Sequence, residues 1–193
     1  MGRLLLITGG ARSGKSMYAQ VMAGRAGARV GYIATARVLD GEMRARVARH
    51  QQQRPGTWRT FEAPLYPQEV LRAGCDVDVY LLDCLTMLVS NLLLGAGVDW
   101  EGDVTPEQMG RAEACVQEGI GALLAAVAAC ERDVIVVTNE VGDSIVPMGA
   151  LARQFRDCVG LANQRMARQA ACVCLMACGL PLWLKGSEEA WAR

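Results

Sequence analysis

Four uninterrupted apolar runs divide the first two thirds of the chain: Arg3 to Thr8, Arg29 to Thr35, Val79 to Asp83 and Val134 to Asn139. Continuous runs of this length, rather than an alternation of apolar and polar positions, mark strands covered on both faces of a parallel sheet. The stretches between them read as helices. Lys15 to Arg25 forms the first crossover and Gly27 closes it. Asp40 caps a second, with Glu42 in its first turn, and the pattern EMRARVARHQQQ runs until Arg54-Pro55-Gly56 stops it. Further helices are predicted over Tyr66 to Ala73, Leu85 to Leu94 and Ala150 to Ala170. Another follows Thr105-Pro106-Glu107-Gln108, which has capping-box spacing with proline at the first helical position, and runs to about Glu131. Thr57 to Glu62 reads as a short strand with Trp58 and Phe61 in the core, and Gly95 to Asp103 as a flexible loop. Cys172 to Ala177 and Leu180 to Leu184 read as a closing hairpin turned at Gly179. The expected fold is α/β: a mostly parallel sheet flanked by helices, ending in a hairpin, in a single domain over residues 1–193 with no internal repeat.

Composition narrows the picture by exclusion. Lys plus Arg equal Asp plus Glu at 20 each, so net charge gives no reason to expect a nucleic-acid or membrane-surface partner. The most apolar stretch, Ile120 to Cys130, is about half of what a bilayer requires, so no membrane span is expected. Met1-Gly2-Arg3 leads straight into a strand, and the expected location is cytoplasmic. None of the eight cysteines forms a C-x-x-C pair. Cys172, Cys174 and Cys178 are expected on one face of a strand, as buried reduced thiols rather than as a metal site.

The strongest chemical signal follows the first strand. Gly9, Gly10, Ala11, Arg12, Ser13, Gly14, Lys15 and Ser16 (GGARSGKS) satisfy the phosphate-binding pattern G-x-x-x-x-G-K-[ST] between an apolar strand and a helix. Positive φ at Gly9, Gly10 and Gly14 turns backbone N–H groups inward, and the helix starting near Lys15 adds its positive end. Lys15 is then expected to reach the β- and γ-phosphates, and the Ser16 hydroxyl to supply one ligand to Mg²⁺. Asp83, at the end of an apolar strand, is the candidate for the acidic group on the metal side; its other reading is a cap for the following helix. Ligands lie beyond the carboxyl ends of strands in such sheets, which puts Thr35, within Ala34-Thr35-Ala36, near the nucleotide along with Asn139 and Glu140. Glu62 has the chemistry to accept bonds from a base or ribose.

His50 is the only histidine, and Arg46, His50 and Arg54 are spaced by fours on a helix. Neighbouring positive charge keeps an imidazole neutral and nucleophilic, and guanidinium groups hold an anionic phosphate for attack. On spacing alone, a solvent-facing histidine on a basic helix surface is the stronger reading.

Several stretches together resemble one family: GGARSGKS, YIATA, E-M-x-x-R-V-x-x-H with RPGTW and T-F-E-A-P after it, LLDCLTMLVSNLL, TNEVG..IVP and FRDCVGLANQRMA. The chain is similar, from Leu4 to Lys185, to the bifunctional adenosylcobinamide kinase/adenosylcobinamide-phosphate guanylyltransferases of cobalamin biosynthesis. The resemblance implies phosphorylation of adenosylcobinamide by ATP or GTP, followed by transfer of GMP from GTP to the corrinoid phosphate. It implies that His50 takes up GMP, which reverses the reading from spacing alone. Nucleotide contacts carry over to Gly9 through Ser16, to Ala34, Thr35 and Ala36, to Gln51, Gln52, Gln53 and Arg54, to Glu62 and to Asp83. A homotrimer is implied too. Two departures from the family pattern are Asp143-Ser144, where a small or apolar residue and Gly are usual, and Cys172 in place of an Asp. A plain small-molecule kinase with His50 as a phosphate ligand competes with this reading, as does a nucleotide-dependent switch, for which the sequence offers no partner surface or charged tail.

Overall fold

The computed structural model describes residues 1–37, 41, 44, 45, 48 and 54–192. Its strands are β1 (Leu4–Gly9), β2 (Val30–Ala34), β3 (Arg59–Glu62), β4 (Val79–Asp83), β5 (Asp133–Val137), β6 (Cys172–Ala177) and β7 (Leu180–Lys185). They form one sheet in the order β3-β2-β4-β5-β1-β6-β7, parallel throughout except for the antiparallel pair β6 and β7. The helices with complete bounds are α1 (Lys15–Ala26), α2 (Pro67–Ala73), α3 (Leu85–Leu94), α4 (Pro106–Ala129), α5 (Ala150–Gln169) and α6 (Glu188–Ala192). Gly41, Arg44, Ala45 and Ala48 are helical as well, as expected for the stretch capped by Asp40; Asp40, Glu42, Met43, Arg46 and Val47 lie outside the described residues.

The continuous apolar runs have a simple physical origin. Successive side chains of a strand point to opposite faces, so a strand covered on both sides has no position for a polar residue. Leu4 and Leu6 enter one cluster with Tyr80, Leu82, Val134 and Val136, under α3, α4 and α5. Leu5 and Ile7 enter the other with Val79, Leu81, Ile135 and Val137, under Ala19, Met22 and Ala23 of α1. The edge strand β3 has no such cover: Arg59, Thr60 and Glu62 are exposed and Phe61 is half-buried. Trp58 is also half-buried, packed against the second cluster, so neither aromatic is fully in the core.

The capping box forms as its spacing predicts: Gln108 N–H donates to Thr105 Oγ1 at 3.2 Å, and Thr105 N–H donates to Gln108 Oε1 at 2.8 Å. The helix it opens, α4, is long and apolar enough by composition to cross a membrane. Here Val116, Ile120, Leu123 and Val127 turn into the core cluster, the arrangement of a helix packed on a sheet.

Two expectations need correcting. Cys172 and Cys174 are buried, but Cys178 is exposed, because the strand has already ended in a turn with Cys178 at φ 53° and Gly179 at φ 81°. Helix α6 was not foreseen, since five residues are too few to show a helical period; it buries Trp191 beneath the Arg3 guanidinium, 4.7 Å from the ring centroid. The turn yields a prediction. Two left-handed residues in a hairpin favour Asn-Gly, so Cys178→Asn is expected to stabilise the protein by roughly 0.5–1 kcal/mol. A rise in the urea midpoint checks it, and a fall would count against a left-handed residue 178.

Candidate active site

The phosphate loop leaves the carboxyl end of β1 with positive φ at Gly9 (144°), Arg12 (59°) and Gly14 (95°). Gly10 was expected among them and is not: open space surrounds its Cα, and the left-handed step falls on exposed Arg12 instead. Gly9 is required twice over, by its φ and because a Cβ there would lie 2.4 Å from Met176 O. The loop is tied on both sides. Glu140 N–H donates to Gly9 O at 3.0 Å and Gly179 N–H to Ser13 O at 3.1 Å. Lys15 opens α1, buried, with its ammonium donating to Gly10 O at 2.5 Å and to Ser13 Oγ at 3.4 Å. The charge is thus folded back across the loop it is expected to serve. Ser16 follows, half-buried.

Register brings the other candidates to the same edge. Ala34 pairs with Glu62 on one side and Asp83 on the other, so three strand ends finish at one level. The Asp83 carboxylate accepts a hydrogen bond from Tyr32 Oη at 3.0 Å. Burial, then the neighbouring Asp83 charge, pushes the Tyr32 phenol far up, so it stays a donor at any working pH. Arg54 lays its guanidinium on the Tyr32 ring, 3.5 Å from the centroid, which brings Arg54 itself against β2. Glu62 is exposed beside it. Glu140 is half-buried and accepts from Gly142 N–H at 2.7 Å. His50, Gln51, Gln52 and Gln53 lie outside the described residues.

Thr35 is fully buried, and its hydroxyl is occupied within the protein: it donates to Cys84 O at 2.7 Å and accepts from Cys84 N–H at 2.8 Å. Its role is to join the ends of β2 and β4. A residue unremarked in the sequence completes the join. Asn91, 3% exposed in the middle of α3, donates from Nδ2 to Thr35 O and to Pro64 O, each at 2.8 Å. One amide therefore holds the ends of β2 and β3 together under the candidate nucleotide contacts. The available signal was a lone asparagine in the apolar helix LTMLVSNLLL, because a polar group so buried must have partners. A parallel chain runs along the next strand end: Asn139 Nδ2 donates to Thr86 Oγ1 at 2.7 Å, Asn163 Nδ2 to Asn139 O at 3.1 Å, and Thr138 Oγ1 to Asn163 Oδ1 at 2.7 Å. Asn163 is one of the polar residues of α5, and these bonds account for its place on a helix packed against the sheet.

A loop with this nest, a buried lysine behind it and the Asp83 carboxylate two strands along the same sheet edge is built to bind and transfer phosphate. Residues 5–184 match the family described as cobinamide kinase / cobinamide phosphate guanyltransferase. The chain belongs to this family. It is 42% identical over 185 residues to the bifunctional adenosylcobalamin biosynthesis protein CobU of Escherichia coli K12, and 43% identical to that of Salmonella typhimurium LT2; each alignment covers 94% of this chain and 99% of the relative. The corresponding protein CobP of Pseudomonas aeruginosa is 39% identical over 182 residues, 94% of this chain and 96% of the relative. The protein is thus a bifunctional transferase, a cobinamide kinase and a cobinamide-phosphate guanylyltransferase, rather than a plain kinase or a switch.

Two predictions follow from the strand-end bonds. Asn91→Leu keeps volume but leaves two buried carbonyls unpaired, so a loss of about 1–3 kcal/mol is expected in urea unfolding, with a raised KM for nucleotide. Glycine or serine at 91 is not equivalent, since a cavity would confound the reading. Cys84 adjoins Thr86 Oγ1 at 2.9 Å, and burial pushes its thiol up to about 11. A group raised this far is almost wholly protonated at pH 8, roughly one part in a thousand thiolate. Iodoacetamide at pH 8 should leave Cys84 unmodified, and peptide mapping reads the result.

Proposed function

We propose that the guanylyl half of the reaction passes through His50. The imidazole nitrogen attacks the α-phosphorus of GTP, a P–N bond forms, the bond to the bridging oxygen breaks, and pyrophosphate leaves. A phosphate oxygen of adenosylcobinamide phosphate then displaces the histidine, giving adenosylcobinamide-GDP and free His50. The observation that carries this reading is Arg54 packed on the ring of Tyr32, whose hydroxyl donates to Asp83 at the end of β4. Arg54, four positions on from His50, thus rests against β2, whose neighbour β4 ends in Asp83, and this supports a nucleotide site shared by both half-reactions. The spacing R-V-x-x-H and the family resemblance support the same assignment.

In the kinase half, the corrinoid hydroxyl attacks the γ-phosphorus of ATP or GTP, with Lys15 neutralising the charge that develops on the phosphate oxygens. Gly9 to Ser16 cradle the phosphates; Ala34, Ala36, Glu62 and Gln51 to Arg54 surround the nucleoside, with buried Thr35 holding the strand ends behind them. Ser16 and Asp83 offer a hydroxyl and a carboxylate, the hard oxygen donors that Mg²⁺ prefers, and no cluster of three or more His, Cys, Asp or Glu side chains suited to a metal occurs among the described residues. Mg²⁺ held there would supply charge neutralisation between phosphate oxygens, taking its remaining ligands from phosphate and water. We read the chain as one cytoplasmic domain over residues 1–193 that assembles as a homotrimer, on the family resemblance.

The test is intact mass of the purified protein after incubation with GTP and Mg²⁺, beside His50→Ala. One added GMP, stable to alkali and lost in acid, is expected on the wild type alone. Guanylyl transfer by the variant should fall roughly a thousandfold or more. An adduct that persists in His50→Ala, or a wild type that transfers GMP without one, sinks the covalent route.

A further inference from the structure

Between Glu140 and α5 the chain makes a loop that belongs to neither the sheet nor the helices. It starts at the phosphate loop, where Glu140 N–H meets Gly9 O. It is ordered by its own bonds: Ser144 N–H donates to Gly142 O at 2.8 Å, and Ser144 Oγ to Val141 O at 3.2 Å. Arg153 donates to Pro147 O at 3.1 Å and also to Met148 O, so the far half is pinned to the start of α5 with its side chains outward. What it holds out is apolar: Ile145 is 94% exposed, Val146 58% and Met148 97%. Three large apolar side chains displayed on a braced loop mark a surface that meets a partner.

The loop ends at Gly149, on the rim of a hollow of about 390 Å³ between Ser90, Leu93 and Leu94 of α3 and Leu151, Ala152 and Phe155 of α5. Ser90 is the neighbour of Asn91, the residue that braces Thr35. The loop therefore joins the phosphate site through Gly9, and the hollow lies on the helix whose Asn91 ties the ends of β2 and β3.

We propose that Ile145, Val146 and Met148, with the hollow beside them, seat the corrin ring of the acceptor. The proposal rests on cobinamide being the acceptor, as the family has it. A nucleotide is accounted for at the phosphate loop and is too polar for this surface. The corrin ring is far larger, bears methyl groups on its faces, and must lie outside the phosphate loop while its side chain delivers a hydroxyl into it. Charge agrees: an alkylated Co(III) corrin carries one positive charge, and the loop presents Glu140 and Asp143, with its bracing Arg153 turned onto backbone carbonyls. Asp143, a departure from the family pattern, is on this reading a favourable feature of the acceptor site. A pocket of this volume takes one edge of such a ligand, and the three exposed side chains cover part of the rest.

The test uses the full-length protein and the double variant Ile145→Ser/Met148→Ser, both exposed positions whose change leaves the core intact. Equilibrium dialysis read by corrin absorbance should show the dissociation constant for cobinamide raised about tenfold or more, with the KM for GTP within about twofold of wild type. Leu94→Ser, at the hollow's rim, should move cobinamide binding in the same direction. Unchanged cobinamide binding in the double variant overturns the site. If that variant instead sediments as a smaller species with cobinamide affinity intact, the patch is a contact between copies and the proposal fails. A wild type that binds no cobinamide removes the acceptor itself, and this site with it.

Discussion

The position of β1 between β5 and β6 constrains everything else at the active edge. A phosphate loop works by pointing backbone N–H groups at a ligand, so its own carbonyls have to be satisfied from outside. Here the next strand end on each side supplies the donor: Glu140 beyond β5 bonds Gly9 O, and Gly179 in the β6–β7 turn bonds Ser13 O. The antiparallel hairpin at the end of the chain is therefore part of the nucleotide site's support. Met176 O, against which any Cβ at Gly9 would collide, comes from the same hairpin.

A second layer of support lies one strand further out, and it is polar rather than steric. The ends of β2, β3 and β4 lie far apart along the chain, yet Ala34, Glu62 and Asp83 have to stay level if they are to share a nucleotide. Thr35 bonds both backbone groups of Cys84, and Asn91 bonds the carbonyls of Thr35 and Pro64. Buried bonds of this kind have little net value individually, but leaving one partner empty costs about 1–3 kcal/mol, which is why they fix geometry so firmly. The candidate contacts and the residues that hold them level are thus different sets, and α3 carries most of the second.

Candidates for the first set can be named from the sequence, whereas the second set largely cannot. Apolar runs identify buried strands because both faces are covered, and Val79–Asp83 and Leu85–Leu94 fall where the pattern puts them. The capping box and the hairpin turn were readable because their chemistry is local. Strand order is not local: nothing in the runs says that β4 lies between β2 and β5, so nothing says that Ala34 separates Glu62 from Asp83. Asn91 stood out only as one polar residue in an apolar helix, with its partners 56 and 27 positions away. The backbone of the phosphate loop shows the same limit in small. Glycine permits a left-handed step without requiring it, so the loop places one at Arg12 and leaves Gly10 out.

On the proposed reading, the two faces of the sheet divide the labour between the reactants. The face under α1 carries the phosphate loop's helix, whose N-terminal end at Lys15 follows directly from the loop. The opposite face carries α3, α4 and α5, and its apolar cluster extends through partly buried Val141, Leu151 and Phe155 towards the loop where Ile145 and Met148 stand exposed. A polar, anionic donor and a bulky, largely apolar acceptor have to meet at one phosphorus atom. A sheet edge supplied with phosphate-binding N–H groups from one side and apolar surface from the other brings them together without asking either surface to accommodate both.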